Sequence, residues 1–489
     1  MMWLSALCLI FAQHLLPASA RTCTCAEAAK DPLAQEYAYR LGICPGSSPD
    51  LGPGVDTTAC MYAVHEEYNG PSYKFNGAEP QTFNESTAHS FPVFDGISYA
   101  RVPAGVVNDA WACQQANGCG DCDPKRTPRQ CSDERGFAYL WVPNGARSTT
   151  PRILYVHGGS WLSGSPDSAS YAPFCAMIAK TTGMPVLAID YTLAPVGNFS
   201  VILSQIGHAT HWLATHNPIE VIAGRPEARP LAAAPPLFIA GDSSGGGSAT
   251  SALLAQASGS LPGAKGAVFA GGVLFSPWLN LPCDTPSYVS QIFKKETMPT
   301  RPEHIVEHCE LPGLTQHKAR VSIGGDVAFA GYPASLSASF ARNGETYVGN
   351  PALVHDPLAS PMSATRAHLA NMVPLQLHVG LGEVLAAENA IFATKMAEAG
   401  AACELHSYDA MWHVFSMYYE GCEHPKISKL LFAYSSLNLT ASFFRRLAAA
   451  NGQVHWQQNG APYSWTHYEY PRGVDSAMAA YHSAAAMAD

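Results

Sequence analysis

The sequence contains few charged residues and no cluster of basic ones. Charged residues make up 13% of its 489 residues, against roughly 25% in an ordinary soluble domain. The 28 basic and 38 acidic residues give a formal net charge of −10. Without a basic patch or a basic helical face, the chain is expected to bind neither nucleic acid nor an anionic membrane surface. A hydrophobic content of 47% also excludes disorder for most of the chain.

Long apolar runs are missing as well. No segment after residue 20 has 18 uninterrupted apolar residues, so the sequence predicts no transmembrane helix. A shorter apolar run starts at Met2 and leads to Ala18-Ser19-Ala20, whose small side chains have the spacing of a signal-peptidase site. We therefore expect residues 1–20 to be a cleaved signal peptide and the mature protein to be secreted. Glycosylation sequons begin at Asn84, Asn198 and Asn438.

Cysteines are concentrated near the start of the chain. Of the 14 cysteines, Cys8 lies in the predicted signal peptide, and eight lie between residues 23 and 131, namely Cys23, Cys25, Cys44, Cys60, Cys113, Cys119, Cys122 and Cys131. Because this region is poor in periodic apolar residues and is expected to be exported, we predict that the eight pair chiefly with one another as disulfides. A zinc site is the alternative for the last four, since thiolates at such spacings suit tetrahedral zinc.

From about Phe137 the pattern changes to an alternation of short apolar runs and longer helical stretches. The runs predict strands at 152–156, 185–189, 237–240, 268–275, 374–379 and 404–408, and the stretches predict helices at 168–181, 201–216, 244–257 and 388–399. This alternation predicts an α/β fold with a mostly parallel central sheet and helices on both faces. We therefore divide the chain into a cysteine-rich extension (21–135), an α/β domain (136–450) with an insertion at about 284–350, and a C-terminal tail (451–489).

The sharpest local signal surrounds Ser243. The segment Gly241-Asp242-Ser243-Ser244-Gly245-Gly246 follows a predicted strand and opens a predicted helix. Small residues on both sides of Ser243 allow the tight turn that exposes the Oγ atom of a nucleophilic serine. The N–H of Ser244 would then lie at a helix N-terminus, where it can stabilise an oxyanion.

A second glycine-rich segment follows the strand at 152–156. It reads His157-Gly158-Gly159-Ser160-Trp161, and a loop of this kind supplies the second oxyanion donor in serine hydrolases. This loop and the N–H of Ser244 are therefore the candidate sources of the oxyanion hole.

A serine nucleophile needs a histidine base, and that base needs a carboxylate to orient it. His413 lies in a short loop after the last predicted strand, and Glu383 lies in the loop after the strand at 374–379. This matches the α/β-hydrolase chain order of nucleophile, acid and histidine. Asp356, which precedes that strand, and Asp409, only four residues before His413, fit this order less well.

Two other groups of side chains have simpler interpretations. His208, His211 and His216 share one helical segment without a His-Glu-x-x-His pattern, so we predict no metal site there. Trp161, Trp278 and Trp412 lie beside the predicted site in sequence. The sequence does not decide whether they line a pocket or pack in the core.

The chain resembles the hormone-sensitive-lipase-like branch of the α/β hydrolases, which includes bacterial carboxylesterases and arylacetamide deacetylase. Seven blocks in family order carry the resemblance: His157–Trp161, Asp190–Pro195, Gly241–Gly246, Ser276–Trp278, Asp356–Pro361, Glu383–Leu385 and Trp412–Phe415. Two departures are Ser160, where the family has a third glycine, and Ser244, where it usually has alanine. Both keep the main-chain N–H.

The resemblance implies the α/β-hydrolase fold with a cap over the sheet, which the insertion at 284–350 matches by position. It also implies that Ser243 is the nucleophile, Glu383 the acid and His413 the base, although the family more often has aspartate at the acid position. By the same resemblance, the oxyanion hole falls on Gly158, Gly159, Ser160 and Ser244. We therefore expect a secreted serine hydrolase that acts on a small-molecule ester through an acyl-enzyme and needs no metal or cofactor. The alternatives are an amidase or deacetylase with the same triad, and a non-catalytic receptor or adhesion module.

Overall fold

The computed structural model describes residues 96–102, 138–166, 171–225, 231, 234–259, 261–291, 326, 336–408, 411–417, 431–450 and 463–468. The predicted signal peptide, the eight cysteines of residues 23–131 and Asp409 lie outside this part of the chain, so secretion and the disulfides stay predictions. Three cysteines are described, Cys175, Cys283 and Cys403, and all three are buried free thiols. Among the described helices, none combines the length and apolarity needed to cross a bilayer.

The predicted α/β-hydrolase fold is confirmed. Nine strands form one sheet in the order β1-β2-β4-β3-β5-β6-β7-β8-β9. Their bounds are β1 Ile97–Val102, β2 Ala138–Pro143, β3 Arg152–Val156, β4 Val186–Ile189, β5 Leu237–Asp242, β6 Phe269–Phe275, β7 Leu375–Gly380, β8 Cys403–Tyr408 and β9 Tyr463–Tyr468. The β1–β2 and β2–β4 pairs are antiparallel, and every other neighbouring pair is parallel.

Nine α-helices are found in the described residues. They are α1 Tyr171–Thr182, α2 Phe199–Thr215, α3 Pro218–Ile222, α4 Ser243–Ala257, α5 Ser287–Ser290, α6 Leu336–Val348, α7 Arg366–Leu369, α8 Ala386–Glu398 and α9 Leu431–Ala449. Short 3₁₀ turns lie at Pro351–Leu353, Pro361–Ser363 and Phe415–Met417.

Both faces of the sheet are covered, because alternate residues of each strand point to opposite faces. In β3, Leu154 and Val156 belong to a core shared with α2, α4 and α8. Ile153 and Tyr155 belong to a second core shared with α1 and α9. This burial on both faces accounts for the nearly continuous apolar runs of the central parallel strands.

The predicted strands and the observed ones differ mainly at the edges of the sheet. Strands β3 to β8 lie within two residues of the six predicted ranges. Val268, predicted as the first residue of a buried strand, is 61% exposed and precedes β6. The edge strands β1 and β9 lie outside the predicted 136–450 range, yet they pair with β2 and β8 in the same sheet.

Candidate active site

Ser243 occupies the sharp turn between β5 and α4. Its backbone has a φ of 50°, a left-handed conformation that is uncommon for a residue with a side chain. The start of α4 lies very close to β3 at Gly245, and this approach is possible because Gly245 has no side chain. A Cβ atom there would lie 2.2 Å from Val156 O and 2.3 Å from His157 O. Glycine at 245 is therefore a packing requirement, and the turn projects the half-buried Ser243 side chain past the end of the sheet.

The structure brings Ser243, His413 and Glu383 together from three loops. His413 Nε2 lies 2.9 Å from Ser243 Oγ, and His413 Nδ1 lies 3.1 Å from Glu383 Oε2. Glu383 follows β7 and is fully buried, whereas His413 follows β8 and is 8% exposed. With the proton on Nδ1 donated to Glu383, Nε2 is free to accept the proton of the Ser243 hydroxyl.

Burial shifts the pKa of both His413 and Glu383. It lowers the pKa of His413, while the nearby charges of Asp326 and Asp242 oppose this shift. The imidazole is therefore neutral at neutral pH and able to act as a base. Burial also raises the pKa of Glu383 well above its usual range, and polar contacts with Ser276 and with the main chain oppose that rise.

The glycine-rich loop after β3 faces Ser243, but its three predicted donors are not equivalent. Gly158 N–H donates to Asp242 Oδ1 at 3.0 Å, so this amide is already engaged. Gly159 and Ser160 have positive φ values of 112° and 57°, which turn the loop back over the start of α4. The loop is fastened there because Trp161 N–H donates to Ser244 Oγ at 3.2 Å.

Asp242, the residue before the nucleophile, links this loop to the sheet. Its buried carboxylate accepts hydrogen bonds from the hydroxyls of Tyr155 at 2.6 Å and Tyr171 at 3.0 Å, besides the one from Gly158. Burial raises the pKa of Asp242 to about 6, and these three hydrogen bonds oppose the rise. The sequence motif contains Asp242, but its partners come from distant segments and were not predicted.

Asp326 is a further residue at the site that sequence reasoning missed. It lies in the predicted insertion and is completely buried. Its Oδ1 accepts the main-chain N–H of His413 at 3.0 Å, and its Oδ2 accepts that of Val384 at 3.1 Å. Burial raises its pKa to about 7; His413 opposes this and Glu383 adds to it. No motif or periodicity marks this position in the sequence.

Three side chains in the described part of the chain have ligand atoms close enough for a metal ion. They are Asp326, Glu383 and His413, whose atoms all lie within 4.8 Å of one another. A cation bound there would occupy His413 Nδ1, the atom that faces Glu383. The predicted serine chemistry requires His413 Nδ1 to donate to Glu383, so a cation on that nitrogen would be incompatible with it.

Two other carboxylates, that of Asp356 and that of the neighbouring Glu388, have main-chain partners of their own. Asp356 accepts the N–H of Leu358 at 2.8 Å within a turn. Glu388, in the first turn of α8, is buried and accepts the N–H of Leu279 at 2.6 Å.

Of the three histidines of the helical segment, His208 and His211 lie on α2, and His216 is the residue after its end. His208 and His216 contact carbonyls of their own helix, at Ser204 and Trp212.

The tryptophans beside the site are core residues. Trp161, Trp278 and Trp412 are at most 5% exposed. The Trp161 ring stacks on Tyr347 of α6 at a centroid distance of 3.9 Å and lies 4.8 Å from the Trp278 ring. These contacts attach α6, part of the predicted insertion, to the glycine-rich loop.

Comparison with known proteins identifies the family to which the chain is similar. A family model described as "alpha/beta hydrolase fold" matches residues 153–339 and 312–417. Similar curated proteins are an acetyl-hydrolase of Streptomyces hygroscopicus (24% identical, covering 61% of this chain and 84% of that protein) and the probable carboxylesterase 16 of Arabidopsis thaliana (35% identical, covering 19% and 21%). The hormone-sensitive lipase of Bos taurus is 30% identical, over 21% of this chain and 12% of that protein.

These matches confirm the resemblance to the hormone-sensitive-lipase branch. The chain spans only about a fifth of the carboxylesterase and an eighth of the lipase, but most of the acetyl-hydrolase.

Proposed function

Since this chain belongs to the α/β hydrolase fold family, we propose that it is a serine hydrolase of the carboxylesterase type, acting on small-molecule carboxylic esters. The acetyl-hydrolase and carboxylesterase among its relatives support the reaction class. The observation that carries the proposal is the chain of two contacts, 2.9 Å from Ser243 Oγ to His413 Nε2 and 3.1 Å from His413 Nδ1 to Glu383 Oε2.

In the proposed reaction, Ser243 Oγ attacks the carbonyl carbon of the ester while His413 Nε2 takes its proton. Glu383 accepts the Nδ1–H of His413 and stabilises the imidazolium that forms. When the tetrahedral intermediate collapses, the C–O bond to the alcohol breaks and His413 protonates the leaving oxygen. Water, deprotonated by His413, then attacks the acyl-enzyme and releases the carboxylic acid and the free Ser243 hydroxyl.

We assign the oxyanion hole to the main-chain N–H groups of Gly159, Ser160 and Ser244. Ser244 lies in the first turn of α4, where N–H groups lack intrahelical acceptors and the helix dipole favours negative charge. Gly158, which belongs to the set predicted from the sequence, has its N–H engaged by Asp242. Its role in this proposal is to position the loop.

The experiment is turnover of nitrophenyl acetate, butyrate and longer esters by wild type, Ser243→Ala and Ser258→Ala. Ser258 lies on the exposed C-terminal end of the same helix, so its variant is the matched control. We expect Ser243→Ala to lose about ten-thousandfold or more of kcat, while Ser258→Ala keeps wild-type turnover.

The same assay separates the alternatives. Matched nitroanilides test the amidase hypothesis, which a preference for the anilide over the ester would favour. A folded wild type that turns over neither substrate class, with the same background rate as Ser243→Ala, would refute the enzyme and leave the non-catalytic ligand-binding module.

A further inference from the structure

Asp326 connects the predicted cap insertion to the two loops that carry the acid and the base. It lies between β6 and α6 in the sequence, far from every motif of the site. Its main-chain N–H donates to Gln291 O at 2.7 Å, and the side-chain amide of Gln291 donates to Leu381 O at 3.0 Å. The insertion is thus attached to the loop after β7 by two residues, Asp326 and Gln291.

The Asp326 carboxylate bridges the ends of these loops. Val384 is the residue after Glu383, and its N–H donates to Oδ2; the main-chain N–H of His413 itself donates to Oδ1. Nearer to the strands, Leu381 N–H donates to Tyr408 O and Gly382 N–H to Met411 O, both at 2.9 Å. Those hydrogen bonds join the two loops where they leave the strands, whereas Asp326 binds the main chain at His413 and next to Glu383.

The same carboxylate lies close to the charge that the reaction creates. An oxygen of Asp326 lies within 4.8 Å of ligand atoms of both Glu383 and His413. Burial raises the pKa of Asp326 to about 7, so the two hydrogen bonds that it accepts, rather than a full negative charge, are its contribution to the site at neutral pH. In the described part of the chain, the acidic groups near His413 include Glu383 after β7, Asp242 at the end of β5, and Asp326 from the insertion.

We infer that Asp326 is a positioning residue of the triad. Its carboxyl group fixes the main chain at His413 and beside Glu383, so that the imidazole stays aligned with Ser243. The inference rests on the proposed function, since it assigns Asp326 a role in the reaction of Ser243. A segment expected only to cover the sheet thereby supplies part of the machinery that holds the triad.

The test compares wild type, Asp326→Asn, Ser243→Ala and Asp356→Asn with nitrophenyl esters. A misplacement of about 1 Å at a reacting group costs about a hundredfold in rate, so we expect Asp326→Asn to lose tenfold to a hundredfold in kcat, with KM nearly unchanged. Asp356, which also accepts a main-chain N–H but lies in a distant turn, is the matched control and keeps the wild-type kcat.

The outcomes separate the two proposals. Full activity of Ser243→Ala would refute the proposed function, whatever Asp326 does. An inactive Ser243→Ala together with a folded Asp326→Asn of wild-type kcat would overturn the role of Asp326 alone.

If Asp326→Asn does not fold, Asp326→Glu is measured in the same way. It keeps both acceptor atoms but lengthens the side chain. We expect a lowered kcat, and a wild-type kcat would overturn the inference.

Discussion

Glu383 and Glu388 are two buried glutamates only five residues apart, yet they have different surroundings. The Glu383 carboxylate faces the His413 ring, whereas that of Glu388 accepts the N–H of Leu279 after β6. Burial raises the pKa of both carboxyls well above the usual range. Burial and a shifted pKa therefore do not identify the acid; the direction in which the carboxylate points does.

We expect Glu383→Gln to lower kcat on the order of ten-thousandfold, because the amide cannot hold the histidine tautomer or balance the imidazolium charge. Glu388→Gln is the matched control: it costs about 1–3 kcal/mol of stability through a weakened buried hydrogen bond, and its folded protein keeps its turnover. Ester hydrolysis and thermal unfolding of both variants, with Asp409→Asn in parallel, check this. A Glu383→Gln enzyme with near-normal kcat, alongside collapse of one of the others, would show that the acid is assigned wrongly.

At the scale of elements, the site depends on how closely β3 and the start of α4 approach each other. The neighbours of a Cβ atom at Gly245 are main-chain carbonyls of Val156 and His157, and such atoms cannot move aside as a flexible side chain can. Trp278 N–H also donates to Ser243 O at 2.8 Å, which fastens the turn to the segment after β6. The strand–turn–helix unit is therefore positioned by contacts that leave no space for one extra methyl group.

Gly245→Ala should therefore destabilise the protein by about 3 kcal/mol or more, at or above the usual range for overpacking. The variant should also lose ester hydrolysis beyond its loss of folded protein, since relief of the clash moves Ser243. Urea unfolding and kcat are measured together, with Ser258→Ala at the other end of α4 as the control that keeps both within error. Unchanged stability of Gly245→Ala would contradict this packing.

Sequence patterns located the central elements and the three loops at their ends. Strands β3 to β6 are largely apolar on both faces. Ser243, Glu383 and His413 follow the ends of β5, β7 and β8, which lie at the same edge of a parallel sheet. The edge strand β9 reads polar because four of its six residues are exposed, so only its pairing with β8 identifies it. Asp326 could not be predicted either, because its partners are main-chain N–H groups, which every non-proline residue has.

For the whole molecule, a buried polar network crosses one face of the sheet near its β9 edge. His378 of β7 is completely buried, stacks against Phe275 at 5.4 Å and lies 3.0 Å from Gln376 Oε1. Gln376 Nε2 donates to Glu404 of β8 at 2.9 Å, and Arg446 of α9 donates to the same carboxylate at 2.6 Å. The network links β7, β8 and α9 through polar groups, so its protonation affects the stability of the whole sheet.

This network predicts how the stability of the protein depends on pH. Burial lowers the pKa of His378 well below 6.5, its ordinary value. As the pH falls through about 6.5, the unfolded chain binds a proton at this residue and the folded chain does not. Stability conferred by the neutral histidine is therefore full above this pH and declines below it, by up to about 1.4 kcal/mol per pH unit. Burial also lowers the pKa of His413, which acts in the same direction, whereas the raised pKa values of Asp242 and Asp326 act in the opposite direction.

The measurement is the free energy of unfolding in urea between about pH 7.5 and 5.5, a range that extends about one unit on either side of the ordinary histidine pKa. We expect acidification to be less favourable to the stability of wild type than to that of His378→Gln, because the variant lacks the ring that titrates only in the unfolded chain. His378→Gln is also less stable than wild type at about pH 7.5. His355→Gln, at an exposed position, is the matched control with the wild-type slope. Equal slopes for all three proteins would mean that His378 is protonated to the same extent in the folded and unfolded chains, contrary to its burial beside Phe275.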